Sequence, residues 1–334
     1  MTDAAKVLLI SPRFFGYELD IAQAFERRGF AVEFIDERPS NSAAMKALFR
    51  VQPKALARSV DRYYRRLRVG QRDDYALVLV IKGEVVPAWF LDDVARRSPR
   101  AKFVFYTFDS VANSPHAASL MPLFEHRFSF EEHAGGDGGF VLKHLFYVPE
   151  FRPVGTSEPR RHDLAFIGTL HSGRYRFVKR VVAGFSRSFT YFYSQARWFF
   201  AIKRVTDARF REVPPADVHY AKLDRSTVAE IFRNSLAVLD MQHEQQRGLT
   251  MRSFEVLASG SYLVTTNEAA ATGPLGATGR VIVMSPEPSP VEISQLSETL
   301  RALPIPTGPP AGFEQYSVDA WVQDFVDIAE ERAR

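Results

Sequence analysis

The stretch Leu236-Ala-Val-Leu-Asp240, Gln242-His-Glu-Gln-Gln-Arg-Gly-Leu-Thr-Met-Arg-Ser-Phe-Glu255, Val256-Leu-Ala-Ser-Gly260, Tyr262-Leu-Val-Thr265 reads as strand, polar loop, helix and strand. A short apolar run ends at Asp240, and Gly248 loosens the loop. Thr250 is a good N-cap for a helix over Met251–Ser259 that Gly260 stops. First-turn amides point into such a loop, where they and the helix dipole suit a diphosphate. Arg252 on that turn adds charge-assisted hydrogen bonds to phosphate. Gly248, Leu249, Thr250 and Met251 form the rest of the candidate cradle. Glu255, one turn further in, is placed to accept hydrogen bonds from paired ribose hydroxyls. The same pattern also describes a capped helix carrying an ordinary exposed glutamate.

Working outward, short Val-, Ile- and Phe-rich runs alternate with helix-length segments, the signature of largely parallel sheets covered by helices. Strands are expected at Val7–Ser11, Val32–Ile35, Leu77–Ile81, Phe103–Phe108, Arg127–Phe130 and Leu142–Tyr147. A second series runs Leu164–Ile167, Phe189–Tyr193, Leu236–Asp240, Tyr262–Thr265 and Val281–Met284. Helices fit Leu19–Arg28, Arg174–Phe185, Ser226–Asn234, Met251–Ser259, Val291–Leu303 and Val318–Arg334. The polar, proline-bearing stretch from Glu150 to His162 reads as a linker. The expectation is two α/β domains facing a cleft, at 1–152 and 160–315, with a last helix over 316–334. The aromatic runs Phe189–Tyr193 and Trp198–Phe200 read as core.

Composition narrows the classes. The chain has 334 residues, with 43 basic against 39 acidic ones for a net charge of +4, too mild for a dedicated nucleic-acid binder. Cysteine is absent, which removes disulfides, thiolate metal sites and cysteine nucleophiles. No apolar run approaches the ~20 residues of a membrane span, and Asp3 followed by a strand-like start argues against a secretory signal. A cytoplasmic protein is expected. Lys46, Arg50, Lys54, Arg58, Arg62 and Arg66 recur every four residues with apolar residues interleaved. They describe either a solvated helix face or a surface for anionic lipid or a lipid-linked diphosphate, on the inner face of the membrane. Pro53 should kink or divide that helix.

Other candidates lie where strands end. Gly168 and Thr169, with His171 and Arg174 behind them, form a strand–glycine–helix turn suited to phosphate; His171 is either a phosphate donor or a plain turn residue. Asp109 and Glu84 follow strands of the first domain, where a base for an acceptor hydroxyl would sit; Asp109 is equally a turn or capping residue. Lys82 would balance a phosphate or depress a carboxylate. The loop Ser11-Pro-Arg-Phe-Phe-Gly-Tyr17 reads as acceptor-side, its aromatics stacking on a sugar or joining the core. No Asp-x-Asp and no paired histidines appear, and the pairs Asp73-Asp74 and Asp92-Asp93 diverge, so no metal is expected.

Leu249–Gly260 with Leu263-Val-Thr-Thr-Asn267 resembles the C-terminal motif of bacterial CgeB-type glycosyltransferases of the GT-B fold. Ile81-Lys-Gly-Glu84, Tyr106-Thr-Phe-Asp-Ser110, and Asp163–His171 with Gly173-Arg-Tyr175 are similar to the same group. The resemblance implies two Rossmann-like domains and a nucleotide-sugar donor held mainly by the C-terminal one. It further implies a glycan or lipid-linked acceptor on the first domain, a role in lipopolysaccharide or capsule assembly, and a C-terminal helix crossing back. Many retaining members carry a first glutamate eight positions before the ribose-binding one, where this chain has Arg247. A cation there would meet the diphosphate, and the stereochemistry stays open. A nucleotide-sugar epimerase of the same fold and a catalytically inactive partner subunit are the alternatives.

Overall fold

The computed structural model describes residues 4–40, 53–70, 74–108, 115–131, 139–153, 160–241 and 248–331. The chain divides into two compact units, Met1–His144 with Val318–Arg334, and Leu145–Ser317.

The first unit holds β1 (Lys6–Ser11), α1 (Tyr17–Glu26), β2 (Ala31–Asp36), α2 (Pro53–Gly70), β3 (Tyr75–Ile81), α3 (Ala88–Arg97), β4 (Lys102–Thr107), α4 (Pro115–Leu120), β5 (His126–Ser129) and β6 (Val141–Leu142). Its six strands are all parallel, in the order β2-β1-β3-β4-β5-β6. Helices cover both faces, so β1 and β3 are apolar at nearly every position rather than alternating. Phe90, Leu91 and Val94 of α3 and Tyr64 of α2 pack with Leu8, Ile10, Val78, Val80 and Phe105 in one core. The last helix, α12 (Val318–Glu330), belongs to this unit. It buries Trp321 against Tyr106 at 4.9 Å between ring centroids and Phe325 against Phe128 at 5.3 Å, and Asp319 holds Arg27 at 2.8 Å.

The second unit holds β7 (His162–Thr169), α5 (Ser172–Val182), β8 (Ser188–Tyr193), α6 (Arg197–Thr206), α7 (Ala208–Arg211), β9 (Val218–His219), α8 (Arg225–Arg233), β10 (Ser235–Asp240), α9 (Met251–Ala258), β11 (Tyr262–Thr265), α10 (Ala269–Thr272), β12 (Val281–Val283) and α11 (Pro290–Ala302). Six parallel strands run β12-β11-β10-β7-β8-β9. Phe166, Phe192, Leu239 and Val264 of the sheet meet Val178 of α5 and Leu296 of α11 in its core.

Local details add to or change the sequence reading. The strand expected over Leu142–Tyr147 is only Val141–Leu142, exposed at the sheet edge; Leu145, Phe146 and Tyr147 are buried outside that sheet, where Tyr147 bridges Ser317. The two-residue strand β9 is too short to show a period. Pro53 opens α2, where its fixed φ fits and no amide is needed, and residues 41–52 before it lie outside the described ones. The run Trp198–Phe200 is core only at Phe200: α6 turns Trp198 outward, 67% exposed. On α2, Arg58, Arg62 and Arg66 are exposed while Val60 and Tyr64 face the core, and Arg65 pairs with Asp61 at 2.8 Å. Lys46 and Arg50 lie outside the described residues, as does the side chain of Lys54. Among the described residues no helix is long and apolar enough to cross a membrane.

Candidate functional site

In the second sheet the strand order reverses between β7 and β10, and open parallel sheets bind ligands beyond the carboxyl ends of their strands at such a reversal. Gly168 and Thr169 close β7, and Asp240 closes β10. Arg174, in the first turn of α5, bridges the two ends: its guanidinium donates to the Thr169 carbonyl at 3.1 Å and to the Met241 carbonyl at 2.9 Å. Thr250 stands at the N-cap position of α9 with extended backbone, but its side chain makes no cap hydrogen bond. The hydroxyl instead donates to Asp240 Oδ2 at 2.9 Å, and Arg252 donates to Asp240 Oδ1 at 3.3 Å. The capping expected from sequence is thus replaced by a link from helix to strand.

One guanidinium, Arg252, thus pairs with the buried Asp240 carboxylate, and a second, Arg174, held by two strand-end carbonyls, lies within reach of the charges of both. Burial, then the neighbouring Arg252 charge, lowers the proton affinity of Arg174, with Asp240 opposing them. A strand edge carrying these two cations, beside a helix N-terminus, favours an anion with several oxygens. Leu249 and Gly248 are buried beneath it, Met251 is half-buried, and His171 is an exposed N-cap residue of α5. Glu255 is only 5% exposed, so it is not the surface glutamate of a plain capped helix. Arg247 lies outside the described residues. The role of Gly168 is internal: a Cβ there would stand 2.6 Å from Phe166 Cζ, so the glycine admits its neighbour's ring. Gly168→Ala is expected to cost about 1–3 kcal/mol through overpacking, read as a lowered denaturation midpoint at unchanged m-value.

A second constellation occupies the first unit, at the carboxyl ends of β2 and β3, on either side of β1. Lys82 and Gly83 both take left-handed backbone, at φ 76° and 65°. A non-glycine residue there is uncommon and is kept only where its surroundings hold it. The turn sets Lys82 Nζ 2.8 Å from Glu84 Oε1, while the Arg38 guanidinium donates to the other Glu84 oxygen. The Glu84 amide donates to Glu37 Oε2 at 3.1 Å, and Arg38 Nε lies 3.7 Å from Glu37 Oε1. Burial alone would raise the Glu84 carboxyl, but Lys82 and Arg38 overcome it and hold it below its usual range. Glu37 is fully buried, and burial plus the Glu84 charge push it up to about 8 against the pull of Arg38, Lys82 and the Glu84 amide. One carboxyl is ionised and its neighbour carries a proton at neutral pH, the kind of separation acid–base sites use.

Glu37 and Arg38 were not anticipated from sequence; the available signal was an acid–base pair directly after a strand. Asp109 lies outside the described residues. In the loop after β1, Phe14 is partly exposed and stacks on Phe108 at 6.2 Å, Phe15 is 69% exposed, and the Phe14 amide donates to Glu18 at 3.0 Å. Asp92 is exposed while Asp93 is buried between Arg96 and Arg97, each at 3.1 Å, so the two diverge. Among the described residues no three acidic or histidine side chains gather in a metal-ligating cluster.

No protein-family model and no curated protein sequence matches the chain. Solved structures do match over nearly its whole length. The Staphylococcus aureus MnaA–UDP structure aligns with TM-score 0.56 at 7% identity, covering 99% of this chain and 97% of that one. AviGT4, a glycosyltransferase involved in avilamycin A biosynthesis, gives 0.56 at 13% identity over 98% of each chain. MurG from Acinetobacter baumannii gives 0.51 at 14% identity, covering 98% of this chain and 99% of that one. UDP-GlcNAc 2-epimerases are among the neighbours too. At these identities the likeness is one of fold: two six-stranded Rossmann-like units make this a GT-B protein.

Proposed function

We propose that this GT-B chain is a CgeB-like glycosyltransferase that moves a sugar from a nucleoside-diphosphate donor to a hydroxyl of a surface glycan or glycolipid. The observation that supports the reading is that Arg174, tied to the ends of β7 and β10, and Arg252, paired with Asp240, bring two cations together at the strand-order reversal, with Thr250 linking helix to strand. Arg174, Arg252 and the amides around Thr250 hold the diphosphate, joined by Arg247 and by Thr169 and His171 at the end of β7. Glu255 takes the ribose hydroxyls. In the reaction the bond from the anomeric carbon to the diphosphate oxygen breaks and the acceptor oxygen bonds to that carbon. The leaving charge stays on the arginines and amides without a metal. Asp109 or Glu84 receives the acceptor proton, with Lys82 keeping Glu84 ionised. The exposed Phe14–Phe15 pair offers a stacking surface to the acceptor. The chain works at the cytoplasmic face of a membrane in lipopolysaccharide or capsule assembly, its α2 arginines facing anionic lipid.

The epimerases among the structural neighbours favour one rival, an epimerase acting on the donor alone. Thermal shift against UDP, GDP, CDP, TDP and their sugars, with and without EDTA, tests the site. One nucleotide at 100 times its dissociation constant should add about 2.7 kcal/mol to the wild type, regardless of EDTA, and little to Glu255→Ala. Product from donor alone assigns the epimerase. No shift with any nucleotide removes this donor set and leaves a non-catalytic partner subunit or a donor outside it.

A further inference from the structure

Helix α6 turns an apolar face away from its own domain. Trp198, Ile202 and Val205, at positions i, i+4 and i+7, are 67%, 53% and 74% exposed, and Ala201 between them is exposed as well. The opposite face buries Phe200 against Phe210. At 100° per residue the exposed residues form one stripe, bordered by Arg197 and Arg204 on one side and by Thr206 and Phe199 on the other, with Lys203 beyond them. The helix contains no acidic residue. The nearest acid, Asp207, is engaged by Arg209 at 3.2 Å. Arg197 lies over the Tyr220 ring at 5.0 Å and Lys203 over Phe199 at 5.8 Å, which fixes the stems of both cations.

A protein partner would meet such a face with acidic groups set at particular points, whereas a stripe of Trp, Ile and Val on a helix whose only charges are cations matches an anionic lipid surface throughout. Tryptophan sits well at the headgroup level, the aliphatic side chains reach the acyl boundary, and the cations remain among the headgroups. We infer that α6 is a membrane-docking helix that lies in the plane of an anionic phospholipid bilayer, with Trp198, Ile202 and Val205 inserted. These residues are distinct from the α2 stripe, which exposes Arg58, Arg62 and Arg66 rather than large apolar side chains. Docking by α6 does not depend on the proposed glycosyl transfer.

The test is partition of the full chain onto vesicles of phosphatidylcholine with and without phosphatidylglycerol, read by sedimentation and by tryptophan emission. The expected result is binding that requires phosphatidylglycerol, weakens with salt, and blue-shifts the emission. Ile202→Asp with Val205→Asp should lower the partition coefficient at least tenfold at an unchanged melting temperature, since both residues are exposed. Arg197→Gln with Arg204→Gln should lower it severalfold. Three results overturn the proposal. One is no wild-type partition onto anionic vesicles. Another is partition untouched by the α6 changes but lost in Arg58→Gln/Arg62→Gln/Arg66→Gln. The third is self-association without lipid that the α6 changes abolish, which would make the face a contact with a second copy. None of these readouts uses a nucleotide, so failure here leaves the nucleotide-sugar reading standing, and the converse holds.

Discussion

Arg252→Ala is expected to raise the dissociation constant for a nucleoside diphosphate by about 10- to 100-fold, because hydrogen bonds to charged groups are worth about 1.5–3 kcal/mol each. The corresponding free nucleoside should bind wild type and variant alike, since it has no phosphate for the guanidinium to meet. Isothermal titration with both ligands separates a diphosphate contact from general damage. Arg174→Ala should produce a similar loss and also destabilise the fold, because this side chain ties the Thr169 and Met241 carbonyls together across the strand-order reversal. The double variant should lose less than the sum of the single losses, as both cations serve one anion. Equal losses for nucleoside and nucleotide would remove the arginines from the diphosphate site.

The second large effect concerns Glu37. Its carboxyl has its ordinary value of about 4.5 when the chain is unfolded and is pushed up to about 8 in the fold by burial and the Glu84 charge. Between those values the folded chain holds a proton that the unfolded chain has released. Raising the pH across this window therefore destabilises the fold, by at most about 1.4 kcal/mol per pH unit. The loss starts near the lower value and levels off above the upper one. Glu37→Gln removes the titration while keeping an oxygen for the Glu84 amide. The variant should match wild type near pH 4.5 and exceed it increasingly toward pH 8, where the gain in melting temperature reaches several degrees. Calorimetry at half-unit steps reads this directly, and parallel curves for the two proteins would mean that Glu37 is already ionised in the fold.

These two predictions draw on different amounts of sequence information. Arg252, Thr250 and Glu255 stand in one strand–loop–helix segment, so their spacing is visible along the chain. The burial of Glu255 was one of two alternatives the spacing allowed, and packing chose it. Glu37 has no such segment. Its partner Glu84 lies 47 residues away, and the raised carboxyl arises from burial and a neighbouring charge that no local window contains. Trp198 shows the opposite limit: an aromatic-rich run reads as core, yet only the periodicity around a helix decides which ring goes inside.

The sequence by itself determined the alternation of short apolar strands with amphipathic helices, hence parallel sheets and the two-part α/β organisation, and it marked the turns where phosphate chemistry would sit. It could do so because burial periodicity, glycine stops and capping residues act within a few positions of each other. Only the tertiary structure decided which strand ends lie side by side. Strand order places β7 beside β10, so that Arg174 reaches Met241, 67 residues further along, and meets the charge of Arg252. It also places Glu37 against Glu84 and leaves the Trp198 face of α6 open. The reason is that neighbours in a sheet are chosen by non-local burial, and the electrostatics of a site follow from which groups that choice removes from water.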